Sequence, residues 1–168
     1  MITQELLLKV FGDFALDIEG PHGETHWRQV CINGRSLARL HSVDSAISDF
    51  FALFHDCRRR TEASDPKHGY RAAQYARSLR GAYFELPDIQ FDLLYKACQF
   101  HSYPIRTSNK IIQTCWDADR LDLGRFGAVL DPNYIGQDTL ACQNLCYDAY
   151  RRLNGPDDAE VSCIWTTL

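Results

Sequence analysis

Apolar residues recur at spacings of three and four along most of the chain, which is the period of an amphipathic helix. The stretch SAISDFFALFHDC, residues 45–57, places Ala46, Phe50, Leu53 and Phe54 on one stripe. No alternating apolar and polar run is long enough for a useful strand. The pattern therefore predicts an all-α fold with about seven helices.

Turn and capping residues divide this pattern into separate helices. Asp65-Pro66 marks a turn, and Gly81 closes the helix that precedes it in the chain. Ser108 or Asn109 is a plausible N-cap. The predicted helices lie within residues 4–16, 27–41, 45–57, 68–79, 87–102, 108–127 and 137–153, with residues 128–136 as a loop.

Length, composition and charge set limits on the possible functions. The 168 residues are 45% hydrophobic and 24% charged, which is ordinary for one globular domain over residues 1–168. The net charge is −4 and the two signs are interspersed, so we expect neither a nucleic-acid polymer nor a membrane as partner. The N-terminus carries no signal-peptide or membrane-span pattern, which predicts a cytoplasmic protein. The oligomeric state stays open.

Cysteine usage fits a reducing environment. The seven cysteines are an odd number, without a C-x-x-C pair or zinc-knuckle spacing. We therefore expect most of them to be reduced and buried as small apolar residues.

The stretch FFALFHDCRRR, residues 50–60, places His55 and Asp56 directly behind a run of core-type residues. One interpretation is a buried histidine that only bonds a backbone carbonyl at a helix end. The other is a metal site, since an imidazole nitrogen and a carboxylate oxygen from adjacent positions can reach one cation. The pair alone does not decide between them.

Other histidines and aspartates favour the metal site. His26 stands at the front of a predicted helix, and Asp117, Asp119 and Asp122 follow the core-type stretch KIIQTCW. A carboxylate buried there needs a partner, because an unpaired buried charge is costly. Two histidines and two carboxylates would hold a divalent transition metal with open positions for water and substrate.

The order His, then His-Asp, then Asp in a helical chain resembles the HD-domain metal-dependent phosphohydrolase superfamily, and DADRLD resembles its last motif. The match covers about residues 24–127, leaving a C-terminal helix and tail at 137–168. The segments HDCRR, DPKHG and CWDADRLDLGR are similar to small single-domain bacterial HD proteins. The resemblance implies an HD-domain helical bundle with four metal ligands: His26, His55, Asp56 and Asp119, with Asp117 as the alternative to Asp119.

His68 and His101 occupy the order in which some HD proteins carry ligands to a second metal ion. By that resemblance Asp56 would bridge two ions, with His68 and His101 holding the second. The alternative is a single ion, with both histidines as phosphate donors or supports of the ligands. Both readings stay open.

Arginine and lysine residues near this pair could bind phosphate. On a continuing helix Arg59 would share a face with His55 and Asp56, and Arg58 lies three residues after His55. A guanidinium there could hold two phosphate oxygens. Lys67 and Arg71 flank His68 and are either phosphate ligands or solvated surface residues. Alarmone hydrolases carry acidic residues just after the His-Asp pair, whereas this chain has CRRR. We therefore do not expect an alarmone as the substrate.

The sequence thus predicts a phosphohydrolase that acts on a nucleotide or other small phosphate ester through metal-activated water. The cofactor is one or two divalent transition metal ions, with Mn or Fe favoured over Ni, Co or Zn. Asp56 and the two arginines are the expected catalytic groups, and Asp122 is expected to orient a ligand or to pair with Arg125. The alternatives are a di-iron oxygenase of the HD type and a nucleotide-binding HD domain without catalysis.

Overall fold

The structure, a computed structural model, describes residues 1–141 of the chain. Within that range it contains no strand, only an isolated bridge between Arg80 and Phe84. The all-α prediction is therefore confirmed for the described residues. The helices are α1 (Gln4–Gly12), α2 (Glu24–His41), α3 (Ala46–Phe54), α4 (His68–Leu79), α5 (Asp88–Phe100), α6 (Lys110–Arg120), a 3-10 helix (Leu121–Phe126) and α7 (Gln137–Ala141).

The remainder of the predicted last helix and the C-terminal tail lie outside the described residues. Residues 128–136 form a loop, as predicted. Asn109 is the N-cap of α6, and its side chain accepts a hydrogen bond from Ile112 N at 3.1 Å.

The end of α3 differs from the prediction. The helix stops at Phe54, and the chain continues as turns in which Cys57 N bonds Phe54 O and Arg59 N bonds Asp56 O. These bonds span three residues instead of four, so the chain tightens and leaves the helical path. The expectation that a continuing helix carries Arg59 on the face of His55 is therefore wrong.

Helix α3 lies at the centre of the fold and contacts α1, α2, α4, α5 and α6. Phe50, Phe51, Leu53 and Phe54 are all at most 2% exposed. Such close-packed side chains leave the helix little freedom to shift. The core thus fixes the position of the residues that follow Phe54.

The described cysteines match the expectation. Cys31, Cys57, Cys98 and Cys115 are all buried. Burial raises the pKa of each of the last three thiols, which keeps them protonated and unreactive. The other three cysteines lie outside the described residues.

None of the helices in residues 1–141 combines the length and the apolar character needed to cross a bilayer.

Replacing Phe50 with alanine tests the central role of α3. Phe50 is 2% exposed and stacks between Phe54 and Phe84, so its removal leaves a cavity. We expect a loss of about 3–5 kcal/mol in the free energy of unfolding, measured by urea denaturation. Ile89→Ala, at a side chain that is 78% exposed, is the control and should change stability little. An equal loss of unfolding free energy in the two variants would contradict the central role of α3 in the core.

Candidate metal centre

The chain brings His55 and Asp56 together with residues from two other helices. His26 comes from the first turn of α2, and Asp119 from the last turn of α6. His26 Nε2 lies 3.0 Å from His55 Nε2, 3.4 Å from Asp119 Oδ1 and 3.6 Å from Asp56 Oδ2. The four residues predicted as ligands therefore meet at one point.

A second group lies on the other side of Asp56. His68 is the first residue of α4, and His101 directly follows α5. Their Nε2 atoms are 2.8 Å apart, and Asp56 Oδ1 lies 3.1 Å from His68 Nε2 and 3.5 Å from His101 Nε2. The two oxygens of Asp56 thus face two histidine pairs, and each of these groups could hold a metal ion.

Hydrogen bonds at the Nδ1 atoms fix where the protons of these imidazoles lie. A backbone carbonyl can only accept, so an imidazole nitrogen bonded to one must donate. In a neutral ring the Nε2 atom then carries a lone pair. This applies to His55 Nδ1 on Phe51 O and Ala52 O (both 3.1 Å), His68 Nδ1 on Asp65 O (2.6 Å) and His101 Nδ1 on Cys98 O (2.8 Å).

His26 is held in the same way by a carboxylate. Its Nδ1 donates to Asp122 Oδ2 at 2.6 Å, and Asp122 also accepts from Arg125 Nη1 at 2.9 Å. Asp122 therefore both orients His26 and pairs with Arg125, the two roles predicted as alternatives. The Nε2 of His26 is left to face the carboxylates of Asp56 and Asp119.

Four Nε2 atoms and two carboxylates thus point at each other in a buried space. Neutral imidazole nitrogens only 2.8 and 3.0 Å apart repel unless a proton or a cation lies beside them. Asp56 Oδ1 is also buried without a hydrogen-bond partner, which is costly for a carboxylate. Divalent metal ions satisfy both requirements, and imidazole with carboxylate is a donor set suited to transition metals.

The pKa shifts follow from the same burial and charge. Burial lowers the pKa of His55 to about 3, so this ring is neutral at physiological pH. Burial alone would raise the pKa of Asp56 and Asp119, but the surrounding histidines hold both below the usual value, so both are ionised. Burial opposes protonation of His26, yet Asp119 and Asp122 raise its pKa to about 8. The carboxylates thus favour a positive charge at this point.

Asp117, the alternative ligand, lies elsewhere. Its carboxylate accepts hydrogen bonds from Gln113 Nε2 at 2.7 Å, Gly136 N at 3.0 Å and Thr139 Oγ1 at 2.6 Å. Two residues along a helix turn the side chain by about 200°. Asp117 and Asp119 therefore face opposite sides of α6, and only Asp119 reaches the histidines.

Arg59 lies at the centre although α3 ends before it. Its Nη1 is 3.5 Å from Asp56 Oδ1 and 3.5 Å from both ring nitrogens of His68, while Nη2 donates to Ala63 O at 3.0 Å. Among residues 1–141, its buried Nε has no hydrogen-bond partner. Arg59 also lines a cavity beside the centre, where a guanidinium is suited to binding an anion.

The other predicted phosphate ligands are turned away. Arg58 Nη1 donates to Asp13 O at 2.7 Å, and its guanidinium lies over Tyr75, so the prediction of a catalytic Arg58 is not supported. Arg71 donates to Arg58 O and pairs with Asp65, so its side chain links α4 to the turns after α3. Lys67 is the exposed N-cap of α4.

A cavity of about 410 Å³ opens beside the two histidine groups. Sequence reasoning missed much of its wall, because those residues belong to loops or carry no metal-binding signal. His22, which bonds Glu62, is one of them, although it stands only four residues before His26. The predicted residues in the lining are Asp56, Arg59, His68, His101 and Asp119; the remainder are His22, Ser102, Tyr103, Pro104, Arg120, Leu123, Arg125, Phe126, Val129, Leu130, Asp131, Tyr134 and Ile135.

Comparison with known proteins identifies the fold. No family model matches the sequence, and no curated protein matches it. Among solved structures, a predicted HD superfamily hydrolase from an uncultured Thermotogales bacterium is similar, with a TM-score of 0.63 and 22% identity over 90% of this chain and 87% of that chain. The likeness confirms that the chain has the HD-domain fold.

Replacing Asp122 with asparagine tests how His26 is oriented. The change removes the negative charge that fixes His26 Nδ1–H, so metal affinity should fall about 10–100-fold. Calorimetric titration with Mn²⁺ measures this. Asp92→Asn, at an exposed position of α5, is the matched control and should bind like the wild type. Unchanged affinity in Asp122→Asn would contradict the orienting role.

Proposed function

We propose that the protein is a metal-dependent phosphohydrolase that acts on a nucleotide or another small phosphate ester. The observation that carries this proposal is the convergence of four imidazole Nε2 atoms and two ionised carboxylates beside Arg59 and an open cavity. This set combines residues that could bind metal with a guanidinium that could bind an anion. Both features would contribute to binding a phosphate group.

The geometry favours two metal ions over one. Asp56 directs Oδ2 towards His26 and Oδ1 towards His68, so one carboxylate would bridge two ions. His55 and Asp119 complete the first group, and His101 completes the second. Mixed imidazole and carboxylate donors without cysteine suit Mn and Fe, and also accept Ni, Co and Zn.

The residues of the chain would divide the work with the metal. Divalent ions at this centre would supply Lewis acidity, polarising a phosphate oxygen and lowering the pKa of a water molecule. Arg59 lines the cavity, and its guanidinium would hold a phosphate oxygen and offset negative charge that develops on the phosphate during the reaction. Asp122 would keep the imidazole of His26 in place, and the carboxylate of Asp119 would offset the positive charge of the metal ions.

The cavity is of a size suited to a small molecule. Its volume of about 410 Å³ falls within the usual range of ligand sites. The lining includes the charged or polar side chains of Asp56, Arg59 and His68, and apolar or aromatic side chains such as Tyr103 and Phe126. A substrate with one phosphate and a less polar ester group would match both kinds of lining residue.

The di-iron oxygenase alternative uses the same ligands, because His68 and His101 are in place for a second iron ion. The guanidinium of Arg59 in the cavity lining favours an anionic substrate and therefore the phosphohydrolase. A nucleotide-binding domain without catalysis is the third candidate. Metal analysis and activity assays separate the three.

Elemental analysis after loading with Mn²⁺ and removal of excess metal tests the centre together with its activity. We expect about two equivalents of metal per chain and release of phosphate from a panel of phosphomonoesters and nucleotides. Asp56→Asn should lose most of both, since it weakens both groups.

The Asp49→Asn variant provides the control, because Asp49 pairs with Arg35 away from the centre and should leave metal content unchanged. Bound iron with oxygen consumption and no phosphate release would favour the oxygenase. Metal binding without either reaction would favour the non-catalytic domain, and absence of metal would reject the proposal.

Replacing Arg59 with methionine tests phosphate binding. The variant keeps most of the side-chain volume but loses the guanidinium, so inhibition by inorganic phosphate should weaken about 10–100-fold, which is the effect of one charge-assisted contact. Metal content should stay the same. Arg60→Met is the matched control, because Arg60 is exposed in the adjacent position. Equal phosphate inhibition in both variants would contradict the assignment.

A further inference from the structure

Two irregular segments form part of the cavity wall. Ser102, Tyr103 and Pro104 come from residues 101–109, and Asp131, Tyr134 and Ile135 come from residues 131–136. The backbone hydrogen bonds of both segments are local, such as Ile105 N to Tyr103 O and Tyr134 N to Asp131 O. Within the described residues, backbone hydrogen bonds join the segments only to the adjoining helix ends, as Tyr103 N does with Phe100 O and Leu140 N with Gly136 O.

Arg120, the last residue of α6, ties both segments to that helix. Its Nη2 donates to Tyr103 O and Ile105 O, each at 3.0 Å, and its Nη1 donates to Tyr134 O. Arg120 is 8% exposed, and its guanidinium also lies over the ring of Trp116. One side chain thus bridges the two parts of the wall.

Gln113 and Asp117 extend this arrangement along the same face of α6, at spacings of four and three residues. Gln113 Oε1 accepts from Thr107 N at 2.9 Å in the first segment. Asp117 Oδ2 accepts from Gly136 N at 3.0 Å in the second segment, and Gln113 Nε2 links to Asp117 Oδ1 at 2.7 Å. We call Gln113, Asp117 and Arg120 the wall-holding face.

Gly136 shows how closely the second segment approaches. A Cβ atom at this position would lie 2.9 Å from Asp117 Oδ2 and 3.1 Å from Gln113 Cγ. Both distances are shorter than normal contacts, so only glycine allows this approach. The segment at Gly136 therefore packs closely against Asp117 and Gln113 in addition to forming hydrogen bonds with α6.

The same helix also carries Asp119, which lies 3.4 Å from His26 Nε2 in the metal centre. Because α6 is rigid, it fixes the distance between the phosphate end of the cavity and its wall. Asp117 accepts from Gly136 N, and Arg120 donates to Tyr134 O, so both charged side chains bond the backbone of the second segment.

We infer that Gln113, Asp117 and Arg120 are positioning residues that fix the cavity wall and so determine the size of ester group that the site accepts. This inference rests on the proposed function for the phosphate end of the substrate. The wall-holding face acts through the segments and does not touch the reacting atoms. Loosening it should affect large ester groups and spare the phosphate end.

Two variants disturb the face in different ways. Arg120→Met removes the three hydrogen bonds and keeps a side chain over Trp116, whereas Gly136→Ala pushes the second segment away from Asp117. Arg77→Met is the matched control, because Arg77 also lies over an aromatic ring, that of Tyr95, on the exposed side of α4. All proteins are compared after loading with Mn²⁺.

The first readout is binding of methylphosphonate and phenylphosphonate by calorimetry. Both variants should bind phenylphosphonate about tenfold more weakly, the size of a lost apolar contact, while methylphosphonate changes less than about twofold. For 4-nitrophenyl phosphate, KM should rise by a similar factor with kcat nearly unchanged. Equal weakening for both phosphonates, or none, would overturn the inference.

The second readout does not depend on hydrolysis. Hydrogen exchange of the amides of Thr107 and Gly136 should be faster in Arg120→Met than in the wild type and in Arg77→Met, while α3 keeps its protection. Unchanged exchange at both amides would overturn the inference even if esters are cleaved. If the wild type hydrolyses no ester, but the variants still differ from it in hydrogen exchange and phosphonate binding, the proposed function is rejected and the inference about the wall stands.

Discussion

The arrangement of protons on four histidines is the constraint on which the structure of the site depends. Backbone carbonyls and Asp122 occupy the Nδ1–H groups, so the Nε2 atoms face each other and the carboxylates of Asp56 and Asp119. Without a cation this buried cluster would combine nitrogen repulsion with an unsatisfied carboxylate oxygen. The folded chain is therefore expected to be more stable with metal bound, because binding favours the native state by mass action.

The fold supplies the rigidity that such a cluster needs. The buried aromatic residues of α3 hold the His55–Asp56 pair, and the tight turns after Phe54 return Arg59 to the same centre. Helix α6 serves two regions, since one side carries Asp119 to the metal centre and the other holds the cavity wall. The positions of the metal ligands and of the wall thus depend on the same packed helices.

Much of this arrangement could be predicted from the sequence, for reasons that are local. The apolar stripes predicted the helices, and the resemblance of the order of histidines and aspartates to HD proteins implied the six residues that meet at the centre. The end of α3 was missed because no glycine or proline marks it in FFALFHDCRRR, so Arg58 was assigned to the site although it bonds Asp13 O. Asp117 and Asp119 could be separated only by knowing which side of α6 faces His26. The wall was not predictable, because Arg120 and Tyr134 meet through tertiary packing across 14 residues of chain.

Under the proposed function, the carboxylate of Asp56 would bridge two metal ions. A crystal structure of the Mn-loaded protein, with anomalous scattering data collected at the manganese edge, tests this bridging. We predict two peaks about 3.5–4 Å apart, one beside His26 and His55 and the other beside His68 and His101. A single peak, or no peak near Asp56 in a fully loaded crystal, would contradict the account.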